Sequence, residues 1–309
     1  MDAQIALTVV RSDFEGIARM LCDSVNSIHT RRAYGRALVD FLTWYDTAGR
    51  PPLNKMVVQA HIRDLKDRGQ GAAGINQRIS AIRKLIKEAA DNGLIDSGIA
   101  AGILRVEGVR KEGKRLGCWL SKADAQRLIN SPDITTLKGL RDRALMAVMV
   151  GCGLRRSEVS SLTFCHIQQR EARWVIVDLI GKRNKTRSVP MPSFTKAAID
   201  AWSTAAGLSS SGYVFRPINK GGRLAGDHLT PQSIFETVKL YADALNLSIA
   251  PHDLRRTFAK LARKGGADLK QIQLTLGHAS IKTTEIYLGE EQNLTDAPCD
   301  RLGLSLAGD

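Results

Sequence analysis

Residues 106–117 (VEGVRKEGKRLG) interrupt an otherwise periodic chain with three glycines, closely spaced charges of both signs and no apolar stripe. A segment of that composition has too little apolar surface to order itself against a core, and it reads as an exposed linker. The chain is therefore expected to fold as two units, residues 1–105 and 117–309, with residues 106–116 joining them. At 309 residues in all, both parts have the length of an ordinary domain.

Ahead of the linker the pattern is helical throughout. From Thr30, a side chain suited to capping, Tyr34, Leu38, Phe41, Leu42 and Tyr45 recur at helical spacing until Gly49-Arg50-Pro51-Pro52 stops the helix. Residues 56–66 and 75–90 repeat the pattern, and 94–104 reads as a further short helix. Beyond the linker, Ser121 is placed to cap a helix through Ile129, and residues 137–150 form a strongly apolar one. Residues 171–180 (EARWVIVDLI) are rich in β-branched and aromatic side chains, and with residues 186–191 across the turn GKRNK they predict a hairpin. The stretch 209–228 reads as a loop, and 231–245, 254–264, 269–276 and 281–287 as helices. The expected fold class is mainly α, with a small β-sheet or hairpin in the second unit.

Charge is the first functional clue: 45 Lys and Arg against 31 Asp and Glu leave +14. Residues 1–116 carry +6 and residues 117–309 carry +8, so both units present a basic surface to a polyanion. The longest apolar stretch, 144–154, is far short of the ~20 residues of a membrane span. Asp2, with no basic residue before the apolar stretch that follows it, argues against a secretory signal. The cysteines 22, 118, 152, 165 and 299 are odd in number and lack zinc-type spacing, which suits a reducing compartment and no metal.

Three segments carry chemistry. In Pro251-His-Asp-Leu-Arg-Arg-Thr-Phe258, His252 and Arg255 share a face at a helix start, where unpaired N–H groups favour a phosphate. In LGHASIKTTEIY, His278 precedes Tyr287 by nine residues across a turn. In Gly151-Cys-Gly-Leu-Arg-Arg-Ser-Glu158, a glycine turn presents Arg155 before a new helix. A phenol, two imidazoles and two guanidiniums are what phosphoryl transfer to a protein hydroxyl requires: a nucleophile, a proton acceptor and forked donors for nonbridging oxygens.

The ordered set G-L-R-x-S-E, G-K-x-N-K, H-x-L-R and L-G-H with its later tyrosine resembles the tyrosine recombinases, the phage integrases and Xer-type resolving enzymes. Thr30 and Tyr34 resemble that family's helical core-binding module, so the likeness runs over nearly the whole chain. It implies a two-domain clamp on double-stranded DNA carrying a specific site. It further implies a covalent 3′-phosphotyrosyl intermediate, Holliday-junction strand exchange, assembly into a tetramer, accessory bending or directionality proteins, and a cytoplasmic, nucleoid-associated location. No cofactor is implied. Tyr287 is then the nucleophile, Arg155 and Arg255 the catalytic arginines, and His252 and His278 the histidines; Glu158 orients the site. Lys182 is the general acid, with Lys185 the competing choice. Arg31, Arg32, Arg78, Arg83, Lys84, Lys185, Arg187 and Arg256 are expected to contact DNA. A type IB topoisomerase and a catalytically idle DNA-binding regulator are the alternatives. After Tyr287, Glu290, Glu291, Asp296, Asp300 and Asp309 face one base, Arg301, while Leu294, Leu302, Leu304 and Leu306 suit a protein groove on a neighbouring subunit.

Overall fold

Apolar residues three and four apart build the first unit, Met1–Lys114, from helices α1 (Ile28–Thr47), α2 (Lys55–Asp67), α3 (Ala72–Asp91) and α4 (Ser97–Leu104). The structure is a computed structural model that describes residues 16–17, 19–21, 25, 28–110, 118–180, 186–208 and 211–289. Helix α1 begins two residues before Thr30, which therefore lies in its first turn. Asn54 and Asp96 cap α2 and α4 by accepting from the first free N–H groups. Phe41, Val58, Leu65, Ile79, Ile82 and Ile86 form the core where three of these helices meet.

The second unit, Arg115–Asp309, is organised around α6 (Leu137–Gly151). Every residue from Ala144 to Val150 is buried, because a helix that is apolar on all sides can only lie in the middle of its domain. Helix α5 (Lys122–Asn130), capped by Ser121, packs on one side of it and α8 (Ser193–Ala205) on another. Between them lie the short α7 (Arg156–Ser160) and a three-stranded antiparallel sheet, β1 (Ile167–Arg170), β2 (Arg173–Ile180) and β3 (Thr186–Pro190), in that order.

The sheet is larger than the hairpin read from the sequence. Glu171 and Ala172 have φ of +50° and +59° and make the tight turn from β1 into β2, so they do not begin a strand. Their turn recruits residues 167–170 (IQQR), which lack the apolar alternation of a strand because three of the four are exposed. The β2–β3 register shifts between Ile176 and Leu179, at a bulge where Asp178 has φ +55°.

Four helices complete the unit: α9 (Pro231–Ala244), α10 (Pro251–Lys264), α11 (Leu269–Leu276) and α12 (Ile281–Leu288). Helix α10 starts at Pro251, three residues earlier than the sequence pattern indicates, which puts His252 in its first turn. Among the described residues, no helix is long and apolar enough to cross a membrane.

Candidate active site

The site begins where α6 runs out. Gly153 turns the chain with φ +60°, and a Cβ there would lie 2.6 Å from the Phe258 ring, so only glycine lets the turn close. The turn delivers Arg155 to the N-cap of α7, with Glu158 three residues on. One carboxylate oxygen of Glu158 accepts the Arg155 backbone N–H at 2.8 Å, and the other accepts Arg155 Nη1–H at 2.7 Å. Burial alone would raise the Glu158 pKa. The hydrogen bonds and charge of Arg187, with those of Arg155, instead bring it down to about 2.

Arg255 enters from α10, whose first turn is tied by the Asp253 carboxylate accepting Ala250 N–H at 2.9 Å. Its side chain is buried, donating from Nη1 to the Gly153 carbonyl at 2.6 Å and from Nη2 to the Leu276 carbonyl. The Leu276 oxygen is also 3.5 Å from Arg155 Nη2, so one carbonyl gathers both guanidiniums. Arg255 Nε is buried without a partner. Burial, and then the charge of Arg155, lower the Arg255 pKa to about 9.

Helix α11 ends at Gly277, which takes the left-handed conformation at φ +64°. A Cβ there would meet Arg187 Cδ at 2.9 Å. The turn presents His278, whose Nδ1 is 3.0 Å from Thr284 Oγ1, leaving Nε2 for another partner. One turn of α12 later comes Tyr287, 9% exposed, with its ring edge-on to both His252 and His278 at centroid distances of 5.5 and 5.2 Å. Its hydroxyl lies 3.3 Å from the His252 carbonyl and 3.4 Å from His252 Nε2. The Arg256 guanidinium stands over the same ring at 4.8 Å. Burial, followed by the charges of Arg255 and Arg155, pushes His278 down to about 4. Burial, then Arg255 and Arg256, also lower His252. Burial raises Tyr287, against the pull of Arg255 and Arg256.

Arg155, Glu158, His252, Arg255, His278 and Tyr287 thus come together from three separate chain segments. Arg155, His252 and Arg255 line an open cleft of about 370 Å³. Lys182 and Lys185 lie outside the described residues. The basic residues read as DNA contacts divide. Arg31 and Arg32 are exposed on α1, and Lys84 is half-buried on α3. Arg78 is held by Asp40 at 3.0 Å, and Arg83 donates to the Val106 carbonyl, so both brace the first unit.

Arg187 needs a larger correction. It donates Nη1–H and Nη2–H to Glu158 at 2.9 and 2.8 Å and Nε–H to the Thr275 carbonyl at 2.8 Å, with 9% of its side chain exposed. It is a buried strut and not a surface cation. The signal was present in the strand period, since Arg187 shares a face of β3 with the buried Val189.

Residues 118–293 match the phage integrase family, and residues 19–93 match the phage integrase N-terminal SAM-like domain. The chain belongs to the phage integrase family. It is similar to the tyrosine recombinase XerD of Pseudomonas aeruginosa, 30% identical over 277 residues that cover 84% of this chain and 86% of the relative. It is likewise similar to the tyrosine recombinase XerC of Xanthomonas axonopodis pv. citri, 31% identical over 276 residues, 84% and 86% of the two chains. Among solved structures, the XerH recombinase in its pre-cleavage complex with difH substrate superposes with TM-score 0.65 at 19% identity, covering 86% and 76%. A lambda integrase dimer bound to a COC′ core site does so with TM-score 0.68 at 17% identity, covering 92% and 79%. These likenesses establish the fold. As a tyrosine recombinase the chain is a site-specific recombination enzyme, one that breaks and rejoins DNA strands.

Proposed function

We propose that Tyr287 attacks a scissile phosphodiester within double-stranded DNA and that its neighbours divide the work of that step. The observation that carries this reading is the Tyr287 hydroxyl beside His252, inside a ring of cations that the carboxylates Glu158 and Asp253 offset only in part. As the phenolic oxygen bonds to phosphorus, its proton passes to His252, which is neutral at pH 7 because its pKa is lowered. The bond from phosphorus to the 5′ oxygen breaks, Lys182 supplies a proton to that oxygen, and a 3′-phosphotyrosyl linkage and a free 5′-hydroxyl result. Attack by a 5′-hydroxyl from a partner strand reverses the step, so the phosphodiester is restored without ATP.

Arg155 and Arg255 bind the nonbridging oxygens, and His278 adds a donor from Nε2. The unpartnered Arg255 Nε supports this, because a buried donor left unpaired costs about 1–3 kcal/mol and a phosphate oxygen relieves it. Glu158 positions Arg155 and stays ionised. The two basic units close on the duplex as a clamp, residues 1–105 on one face and 117–309 on the other.

Strand exchange needs several active sites, and we place the tail of one copy on the next. The second unit has an apolar pocket of about 520 Å³ between α5, α6 and α8, lined by Ile129, Leu140, Ala147 and Phe194, with Lys122 and Arg143 at its rim. The acidic, leucine-bearing segment 290–309 complements it in charge and polarity. A tetramer on DNA, in the bacterial cytoplasm and aided by DNA-bending proteins, completes the reading.

The test starts by selecting bound duplexes from a random library and mapping cleavage on the recovered site. On a nicked duplex of that sequence the wild-type chain should form a covalent protein–DNA adduct. Tyr287→Phe should bind equally and form none. Adduct formation by Tyr287→Phe would remove the assignment of the nucleophile, and relaxation of plasmid lacking the site would favour a topoisomerase.

A further inference from the structure

We propose that Arg187 is a positioning residue that joins Arg155, Glu158 and the turn carrying His278 into one phosphate-binding frame. The inference rests on the catalytic reading above and goes beyond it. Three hydrogen bonds leave the one guanidinium in two directions. Nη1 and Nη2 form a fork on the two Glu158 oxygens, the same two oxygens that take the backbone and side chain of Arg155. Nε holds the Thr275 carbonyl, one residue before Leu276, whose own carbonyl receives Arg255.

Shape adds a second constraint. The Arg187 stem fills the space beside Gly277 that a Cβ would occupy, so the left-handed turn into His278 is packed directly on this side chain. Arg187 also lies in β3, which begins one residue after Lys185 and four after Lys182 in the sequence. One residue thus connects the strand that follows the proposed acid to both the first arginine and the His278 turn. Lysine cannot take its place, since a single ammonium cannot fork to a carboxylate and also reach a carbonyl on the other side.

Glu158 is faced by Arg155 at its own helix start, Arg187 from β3 and Arg255 from α10, with His278 beyond them in the α11–α12 turn. Removing Arg187 takes away the strongest of the influences that keep this buried carboxyl ionised, and burial then raises its pKa.

The experiment compares the full wild-type chain with Arg187→Gln and Arg187→Lys on the nicked duplex, measuring single-turnover adduct formation from pH 4.5 to 8 and DNA affinity against salt. Arg187→Gln should slow adduct formation about 100-fold, the scale of a misplaced catalytic group, and the rate should fall further toward acid pH. Arg187→Lys should remain slow near neutrality but follow the wild-type profile toward acid pH, where His252 alone takes up a proton, because its charge keeps Glu158 ionised. The slope of log affinity on log salt should match wild type for both variants.

A slope reduced by about 1 would instead make Arg187 a phosphate contact and overturn the proposal. A wild-type rate in Arg187→Gln would overturn it too, as would equal losses in both variants with the wild-type pH profile. If Arg187→Gln fails to fold, the rate, pH profile and salt slope of Arg187→Lys decide. Wild-type adduct formation that requires Tyr287 isolates this inference from the underlying reading; its absence would remove both.

Discussion

Replacing Glu158 by glutamine keeps the shape of the α7 cap and deletes its charge. In the folded chain the carboxyl is held near 2 against an ordinary 4.5, so ionisation of this group stabilises the fold by about two and a half pKa units. At 1.36 kcal/mol per unit that is about 3 kcal/mol near neutral pH. Only 6% of the side chain is exposed, so solvent screening discounts this little. In a unit of this size the loss should lower the melting temperature by about 6–12 °C. The sign of the pH dependence is set by a folded pKa below the unfolded one. The contribution is complete above 4.5 and disappears as pH falls through 4.5 toward 2, because the unfolded chain takes up its proton first. Urea denaturation read by tryptophan fluorescence is suited to the measurement, since Trp119, Trp174 and Trp202 lie in the second unit and only Trp44 in the first. Wild type and Glu158→Gln should differ by about 3 kcal/mol at pH 7 and converge as pH drops below 4. Equal stability at pH 7, or a gap that stays constant down to pH 3, would refute the buried-carboxylate account.

Three further outcomes are expected. Lys182→Ala should cleave slowly on ordinary DNA and recover on a 5′-phosphorothiolate, whose sulfur leaves without a proton; recovery by Lys185→Ala alone would transfer the acid role to that residue. In the free chain the His278 ring should titrate near pH 4 by NMR, and binding of site DNA should move the midpoint upward as the phosphate offsets Arg255 and Arg155; no upward movement would count against phosphate contact. Deleting residues 293–309 should leave binding of one subunit unchanged and abolish cooperative assembly in a gel-shift titration, and retained cooperativity would exclude tail docking.

Much of the fold could be read from periodicity, and the exceptions have physical causes. Helix α6 was legible because seven consecutive apolar residues, 144–150, admit one placement, the centre of a domain. Strand β1 was not, because IQQR has no inward face to betray it and pairs only through the tight turn at Glu171-Ala172. Within the site, the spacing from His278 to Tyr287 pointed to one locus, but the Leu276 carbonyl that gathers the two arginines is a backbone group with no sequence signature. Arg78 has a partner that spacing along one helix does not reveal, since Asp40 lies 38 residues away on another helix.

The electrostatics of the site explain what cations packed so closely around Tyr287 would contribute to the proposed reaction. Arg155, Arg187, Arg255 and Arg256 are offset by only Glu158 and Asp253 among the groups acting on the site, and burial, followed by the mutual repulsion of the cations, lowers Arg255 to about 9 and His278 to about 4. That repulsion is relieved by a phosphodiester, and relieved further by the additional negative charge of a pentacovalent phosphorane. Interactions that strengthen between ground state and transition state accelerate the chemical step, whereas uniform attraction would only tighten binding. The frame has to be rigid for this to work, because cations free to move apart would relax before the phosphate arrived. Rigidity comes from contacts within the protein: the Gly153 and Leu276 carbonyls that hold Arg255, and the Glu158–Arg187 fork that holds Arg155. On the proposed mechanism the buried acid and its strut serve the reaction by holding Arg155 in place, without touching the tyrosine.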